Sequence, residues 1–117
     1  MAQFLFQVAY TSESWATQVH EQGNILERIQ PLIDGCRGSV ICCFYAFGDD
    51  DVVLLADFPT DEEAAAFSLA ASAGGSIKKI KTTALLSVEQ GITAMKRAEE
   101  VGRNYHPPVE RSAAHHA

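Results

Sequence analysis

Hydrophobic residues alternate with other residues in the first stretch of the chain, QFLFQVAY, which spans Gln3–Tyr10. Phe4, Phe6, Val8 and Tyr10 share one side of this pattern. A period of two residues predicts a β-strand, here with one strongly apolar face.

After this strand, the spacing of the hydrophobic residues changes to that of a helix. Large apolar residues recur at helical spacing, namely Trp15, Val19, Leu26, Ile29 and Ile33. The preceding TSES segment offers hydroxyl groups for an N-cap. Gly23 and Asn24 weaken the middle of the segment, and Pro31 is expected to kink or end the helix nearby. We therefore predict a broken helix over residues 12–34, with Gly35 and Gly38 at its exit.

Residues 39–47 and 52–58 predict two further strands, because they are rich in β-branched and aromatic side chains. The short link GDDD between them predicts a hairpin. Thr60 and Glu63 then form a capping-box pattern before an alanine-rich helix, which Gly74-Gly75 ends. Residues 76–86 predict a fourth strand. Ser87 opens a last helix that ends near residue 102, again with a capping-box pattern.

The predicted order β-α-β-β-α-β-α is that of a ferredoxin-like α+β fold with an added C-terminal helix. Helices would cover one face of its four-stranded antiparallel sheet. The second and third strands are apolar on both faces, however, so the uncovered face also favours burial. A second copy of the sheet is the simplest cover, which predicts a homodimer in the form of a dimeric α+β barrel.

The stretch YAFGDDDVVLLADF and the segment after it resemble the GYD domain family. The matching residues are Phe47, Gly48, Asp51, Val52, Val53, Asp57, Pro59, Glu63, Ala64, Ala65, Phe67, Lys81, Thr82 and Thr83. The resemblance spans residues 3–98. It implies a small bacterial or archaeal protein with a ferredoxin-like, α+β barrel type of fold, and it implies no activity. Asp50 occupies the place of the family's signature tyrosine.

Composition narrows the classes of function. The 117 residues fit one domain, which we place at residues 1–102, followed by a loose or partner-contacting tail at 103–117. A net charge of −6 argues against a nucleic-acid partner. No run is long and apolar enough for a membrane span, and the N-terminus does not have the pattern of a signal peptide. Three cysteines, two of them adjacent, do not form a disulfide framework, so we expect a cytoplasmic protein.

Two clusters have the residue types of a site but not the spacing. Asp49, Asp50 and Asp51 are consecutive, and strand neighbours point to opposite faces, so a solvated turn fits better than a cation site. Cys42 and Cys43 lie in an apolar strand, where cysteine behaves as a small hydrophobic residue. No zinc motif, phosphate loop or nucleophile elbow is present. No metal and no cofactor are expected, apart from weak scavenging by the tail pair His115-His116.

A candidate pocket lies between the sheet and the first helix. Tyr10, Trp15 and Tyr45 are expected to line it, and His20 on the helix is the candidate general base. Thr82 or Thr83 would add a hydroxyl group from the fourth strand.

Three hypotheses about function follow from these features. The first is a homo-oligomeric module that binds a small, mainly apolar molecule or serves as an accessory protein. The second is a cofactor-independent oxygenase or isomerase that acts on a small carbonyl or phenolic compound and uses His20 as base. The third is a structural assembly protein that builds its oligomer through the C-terminal helix and tail.

Overall fold

The computed structural model describes residues 1–108 and shows an α+β fold. Its elements follow the order β-α-α-β-β-α-β-α. The strands are β1 (Ala2–Tyr10), β2 (Ser39–Tyr45), β3 (Val52–Phe58) and β4 (Ile77–Leu85). The helices are α1 (Ser12–Glu21), α2 (Ile25–Gly35), α3 (Asp61–Ala73) and α4 (Val88–Gly102). The predicted α+β fold of the single chain, with its C-terminal helix, is thereby confirmed.

The predicted broken helix is two separate helices. Gln22 ends α1 in a left-handed conformation with φ 55°, and Asn24 caps α2 by accepting a hydrogen bond from the backbone N–H of Leu26. Pro31 lies inside α2, which ends four residues later at Gly35, so the break between the two helices falls at Gln22–Asn24. Its ring removes the backbone donor that would pair with the carbonyl of Glu27 and crowds that carbonyl, and Glu27 is an exposed residue.

Side-chain hydroxyls cap the later helices as predicted, but only one capping box is complete. At α4 the Ser87 hydroxyl accepts from the Gln90 N–H, and the Gln90 side chain accepts from the Ser87 N–H. At α3 the Thr60 hydroxyl accepts from the Glu63 N–H at 3.1 Å. The Glu63 carboxylate instead lies 3.8 Å from the guanidinium of Arg37, across the gap between α2 and α3.

The four strands form one antiparallel sheet in the order β2-β3-β1-β4. Alternate residues of β1 and β3 face α2 and α3 and make up the core, together with three helical residues. Its buried members are Phe4, Phe6, Leu54, Ala56, Phe58, Ile33, Ala64 and Phe67. The four phenylalanine rings of this core pack against one another in edge-on or tilted arrangements, with centroid separations of 5.0–6.1 Å. The predicted alternation of β1 thus sets the helix-covered face of the sheet.

The opposite side of the sheet, which we call the open face, also carries apolar side chains. Within residues 1–85 the helices α2 and α3 pack on the other side. Register and alternation place fourteen residues on the open face: Gln3, Leu5, Gln7, Ala9, Ser39, Cys42, Phe44, Val53, Leu55, Asp57, Lys79, Lys81, Thr83 and Leu85. Phe44 is 62% exposed there. Both sheet faces are therefore apolar at their centre, as the sequence predicted.

The chain divides into two compact units, residues 1–85 and 86–117. The division lies ahead of α4, and the predicted domain boundary at residue 102 stays a prediction. The second unit contains α4, whose apolar residues Val88, Ile92 and Met95 are all exposed. The tail predictions for His115 and His116 fall outside the described residues. Among residues 1–108, no helix has the length and apolarity that a membrane crossing requires.

Candidate functional site

Three of the predicted site residues form an aromatic cluster at one end of the sheet. The rings of Tyr10 and Trp15 meet edge-on with centroids 5.5 Å apart, and Trp15 lies 6.5 Å from Tyr45 in a tilted arrangement. Tyr10 ends β1, Trp15 is in the first turn of α1, and Tyr45 ends β2. The cluster forms because Thr11 caps α1 directly after the strand, which turns the helix back over the strand end.

A cleft of about 540 Å³ opens beside this cluster. Its walls are the end of β1, one side of α1, the Gly23-Asn24 link, the start of α2 and the turn at Gly75-Ser76. The volume falls within the range of roughly 300–1,000 Å³ that small-molecule sites occupy. Tyr10 belongs to the lining, but Trp15 and Tyr45 do not. The cleft is therefore more polar than the aromatic-lined gap that the sequence predicted.

A chain of polar groups crosses the floor of the cleft. The Arg28 guanidinium donates to the side-chain oxygen of Gln18 at 2.9 Å, and the Gln18 amide donates to the Ser14 hydroxyl at 3.1 Å. Glu13, Glu21 and Glu27 also line the cleft. Three carboxylates against one guanidinium leave the lining negatively charged, which disfavours an anionic ligand.

Tyr10 links the aromatic cluster to this polar floor. Burial raises the pKa of its phenol above the ordinary value of 10.0, and the nearby Arg28 guanidinium partly offsets that rise. The hydroxyl group thus stays protonated at neutral pH. It can donate one hydrogen bond to a ligand and accept another.

The remaining predicted site residues lie elsewhere. His20 is exposed on α1 and is not part of the cleft lining, so it does not point inward beside Tyr10 as a general base would need to. Thr82 faces α3, where its hydroxyl donates to the Ser68 hydroxyl at 3.1 Å. Thr83 lies on the open face beside Leu5. The catalytic role of His20 stays a prediction, and these positions do not add to the case for it.

The three aspartates form a turn that is bonded to neighbouring strands. Asp51 donates its backbone N–H to the Val8 carbonyl at 2.7 Å, and its own carbonyl accepts from the Ala46 N–H at 2.8 Å. Its carboxylate accepts a hydrogen bond from the backbone N–H of Tyr10 at 2.8 Å. Among residues 1–108, no group of three or more His, Cys, Asp or Glu side chains is placed to hold a metal ion.

The cysteines are free thiols in partly buried places. Burial raises the pKa of Cys36 and of Cys43, with smaller contributions in the same direction from Glu63 and from Cys42 respectively. A raised pKa lowers the thiolate fraction, which is the nucleophilic form. Cys43 therefore fits the structural role that the sequence favoured.

Arg28 and Gln18 are among the cleft residues that the sequence did not reveal. They are ten positions apart, and they meet because α2 folds back across α1 after Gln22. An uninterrupted helix over residues 12–34 would have separated their side chains by about 15 Å along its axis. The only available signal was the Gly23-Asn24 pair, which marked the break but not the direction of the second helix.

Comparison with known proteins identifies a family. The sequence matches the GYD domain over residues 4–98. A search of curated proteins finds no match to the chain. The crystal structure of MtbAldR is similar, with 17% sequence identity and a TM-score of 0.49. This similarity covers 74% of the present chain and 52% of MtbAldR, so the chain spans about half the length of that protein.

Proposed function

The chain belongs to the GYD domain family, and on that premise we propose that it is a small-molecule-binding module that works as a pair of identical chains. The cleft beside Tyr10 is the binding site in this proposal, and the open face of the sheet is the contact between the two chains. The observation that carries the proposal is the half-buried Tyr10 hydroxyl, which lies in a 540 Å³ cleft together with Arg28.

The composition of the cleft supports a particular class of ligand. The Tyr10 ring offers an apolar surface, and its hydroxyl offers a hydrogen bond. Arg28 is already bonded to Gln18, and the three glutamates make the lining negative overall. We therefore propose a neutral or positively charged small organic molecule with an aromatic or other apolar part. This class is more polar than the mainly apolar molecule that the sequence suggested.

The open face supports the pairing of two chains. Leu5, Val53 and Leu55 lie at its centre, and Phe44 adds an exposed ring at its edge. An antiparallel sheet can leave one face to water, but that face is then mostly polar. Packing two such faces together buries the apolar centre of both, which gives the dimeric α+β barrel expected from the sequence.

The ligand class can be tested through the fluorescence of Trp15, because the chain contains one tryptophan and its ring contacts the Tyr10 ring of the cleft. The probes are 2-phenylethylamine, 2-phenylethanol and phenylacetate, which share a ring and differ in charge. We expect the amine and the alcohol to give saturable changes in Trp15 emission, and phenylacetate to give none. Saturable binding of phenylacetate alone, or of no probe, would contradict the proposed class.

Matched variants locate the response. Tyr10→Phe and Glu27→Gln both change the cleft lining. Tyr10→Phe should weaken the binding of both the amine and the alcohol, whereas Glu27→Gln should weaken the binding of the amine alone. His20→Ala is the control, because His20 lies on the same helix as much of the lining but outside it. An equal loss of binding in His20→Ala would place the response outside the cleft. Native mass spectrometry of the same samples reports whether the chain is paired.

A further inference from the structure

The apolar side of α4 is exposed to solvent. Val88, Ile92 and Met95 form a stripe on this side, and they are between 43% and 76% exposed. At about 100° per residue, the three side chains fall within roughly 60° of one another around the helix axis. An apolar stripe on a helix normally packs against another element. The α4 stripe is therefore a surface that a partner can cover.

The two flanks of the α4 stripe differ in charge. Small residues occupy one flank, namely Gly91, Ala98 and Gly102. Charged residues occupy the other flank, namely Glu89, Lys96 and Arg103. Glu99 falls within the stripe itself, so the sign of the charge alternates along the helix, beginning with a negative residue. None of these four charged residues forms an ion pair with another described residue.

The mixed charge of this helix indicates a protein partner that offers both signs. A helix that lies on a lipid surface needs a polar side rich in lysine and arginine. The segment 88–103 has equal numbers of basic and acidic residues, namely Lys96, Arg97, Arg103, Glu89, Glu99 and Glu100. A uniformly acidic or basic surface would complement only half of these charges, whereas a second α4 supplies both signs.

Two α4 helices can pack stripe to stripe in either of two directions. In a parallel pair each flank lies against the opposite flank of the partner, so charged residues meet small ones. Glu99 then faces Glu99 of the partner subunit at the same level, which is unfavourable because the charges are alike. In an antiparallel pair each flank lies against the same flank of the partner, so the two charged flanks run side by side.

One antiparallel register brings opposite charges together at two places. When the helices cross near residue 97, Glu89 lies beside Arg103 of the partner subunit, and Lys96 lies beside the partner's Glu99. Each contact occurs twice in a two-fold pair. The same register sets Ile92 opposite the partner's Gly102, where the missing side chain leaves room for it.

We infer that the α4 stripe docks on the α4 stripe of a second copy of this chain, in the antiparallel direction, with the crossing point near residue 97. Glu99 specifies the direction, because it meets a like charge in the parallel pair and an opposite charge in the antiparallel pair. This contact is separate from the open face of the sheet and does not rest on the pairing proposed above.

Disulfide trapping in the full chain tests the direction. The three cysteines are first replaced by alanine, and Ile92→Cys and Gly102→Cys are then made in two separate chains. Position 102 admits a side chain, since nothing lies within 4 Å of a Cβ atom built there. The two variants are mixed in urea, refolded together and oxidised. Mass spectrometry distinguishes the disulfide heterodimer from the two homodimers.

The inference requires the heterodimer, because position 92 of one chain lies opposite position 102 of the other. Equal positions are about 15 Å apart along the axis of the antiparallel pair, which is too far for a disulfide. Homodimers without the heterodimer would overturn the inference in favour of the parallel direction. The absence of any disulfide, or the same statistical mixture that oxidation in urea gives, would overturn the contact itself.

A carbodiimide cross-link provides a second measurement that leaves the cysteines in place. In Arg103→Lys the new amine should form an amide bond with the Glu89 carboxylate of a second chain, with loss of water to the carbodiimide. The two positions are about 21 Å apart along one helix, so this link cannot form within a chain.

The control for this cross-link is E89Q/R103K, which lacks the carboxylate and should lose the linked peptide. A covalent dimer of Arg103→Lys without a peptide that joins positions 89 and 103, or no covalent dimer at all, would overturn the register. Both measurements report on α4 alone, so their failure leaves the cleft and the open-face pairing of the proposed function unaffected.

Discussion

The carboxylate of Asp51 accepts a hydrogen bond from the backbone N–H of Tyr10 at 2.8 Å, which joins the β2–β3 turn to the end of β1. The backbone of Asp51 is also bonded on both sides, to Val8 and to Ala46. One residue thus connects three strands at the point where the cleft begins. This position belongs to the part of the sequence that resembles the GYD family, and its geometry gives that resemblance a physical basis.

Replacing Asp51 with alanine removes the side-chain bond and leaves the Tyr10 N–H without that partner. Hydrogen bonds to charged groups contribute roughly 1.5–3 kcal/mol, and partial exposure to water places this one near the lower end. We therefore expect Asp51→Ala to lower the free energy of unfolding by about 1–2 kcal/mol in urea denaturation. Asp51→Asn keeps a neutral acceptor and should lose less.

Asp49→Ala is the matched control for this prediction, because Asp49 is an exposed residue of the same turn. Its substitution should stay within about 0.5 kcal/mol of the wild type. Equal losses at the two positions would mean that the bond to Tyr10 contributes nothing measurable.

The sequence predicted the strands and the helix caps because those features depend on local pattern. Alternation in β1 marked the core face, and the Ser87 capping box formed as expected. Predictions that depend on a neighbouring element were less successful. Glu63 has the spacing of a capping box, but its carboxylate approaches Arg37 in the turn after α2. Pro31 does not separate the two helices, because α2 continues past it to Gly35.

The candidate site was only partly predictable for the same reason. Tyr10, Trp15 and Tyr45 were brought together because each ends or begins an element at one edge of the sheet. Arg28 was missed, since helical periodicity gives the face of a residue within its own helix but not the angle between two helices. His20 lies next to Val19 in sequence, yet Val19 itself is 66% exposed, so the apolar pattern there did not indicate burial.

Tyr10 should titrate above its ordinary pKa of 10.0, because burial raises the pKa of the phenol. Because the pKa of Tyr10 is higher in the folded state than in the unfolded state, the protonated phenol contributes stability that is fully present below the unfolded-state pKa. That stability is lost as the pH rises through the folded-state pKa. The tyrosinate absorbance of the wild type minus that of Tyr10→Phe isolates this group from the other tyrosines. The same absorbance difference in urea gives the pKa of Tyr10 in the unfolded chain. A titration midpoint at or below 10.0 in the folded protein would contradict the burial of the phenol.

Leu55→Asn should weaken self-association, because Leu55 lies at the centre of the open face. Each dimer would lose two buried leucine side chains, so we expect the dissociation constant from sedimentation equilibrium to rise at least roughly tenfold. Leu69→Asn is the control, since Leu69 is 70% exposed on α3. A loss of association in Leu69→Asn with none in Leu55→Asn would assign the contact to the helical side of the molecule.

Gly38 and Gly35 both lie at the exit of α2, but an alanine should have opposite effects at the two positions. A methyl group at Gly38 would lie 2.6 Å from the Phe58 ring and 2.8 Å from the Asp57 carbonyl oxygen, whereas at Gly35 nothing lies within 4 Å. Phe58 is fully buried and the carbonyl belongs to β3, so neither can move away easily. We expect Gly38→Ala to lower the free energy of unfolding by about 1–3 kcal/mol or more. Gly35→Ala, at the end of a helix, should leave it unchanged or raise it by up to about 1 kcal/mol.

Urea denaturation of both variants measures the difference. Equal effects would mean that β2 shifts away from β3 to admit the methyl group, which a change in amide hydrogen exchange along β2 would then reveal.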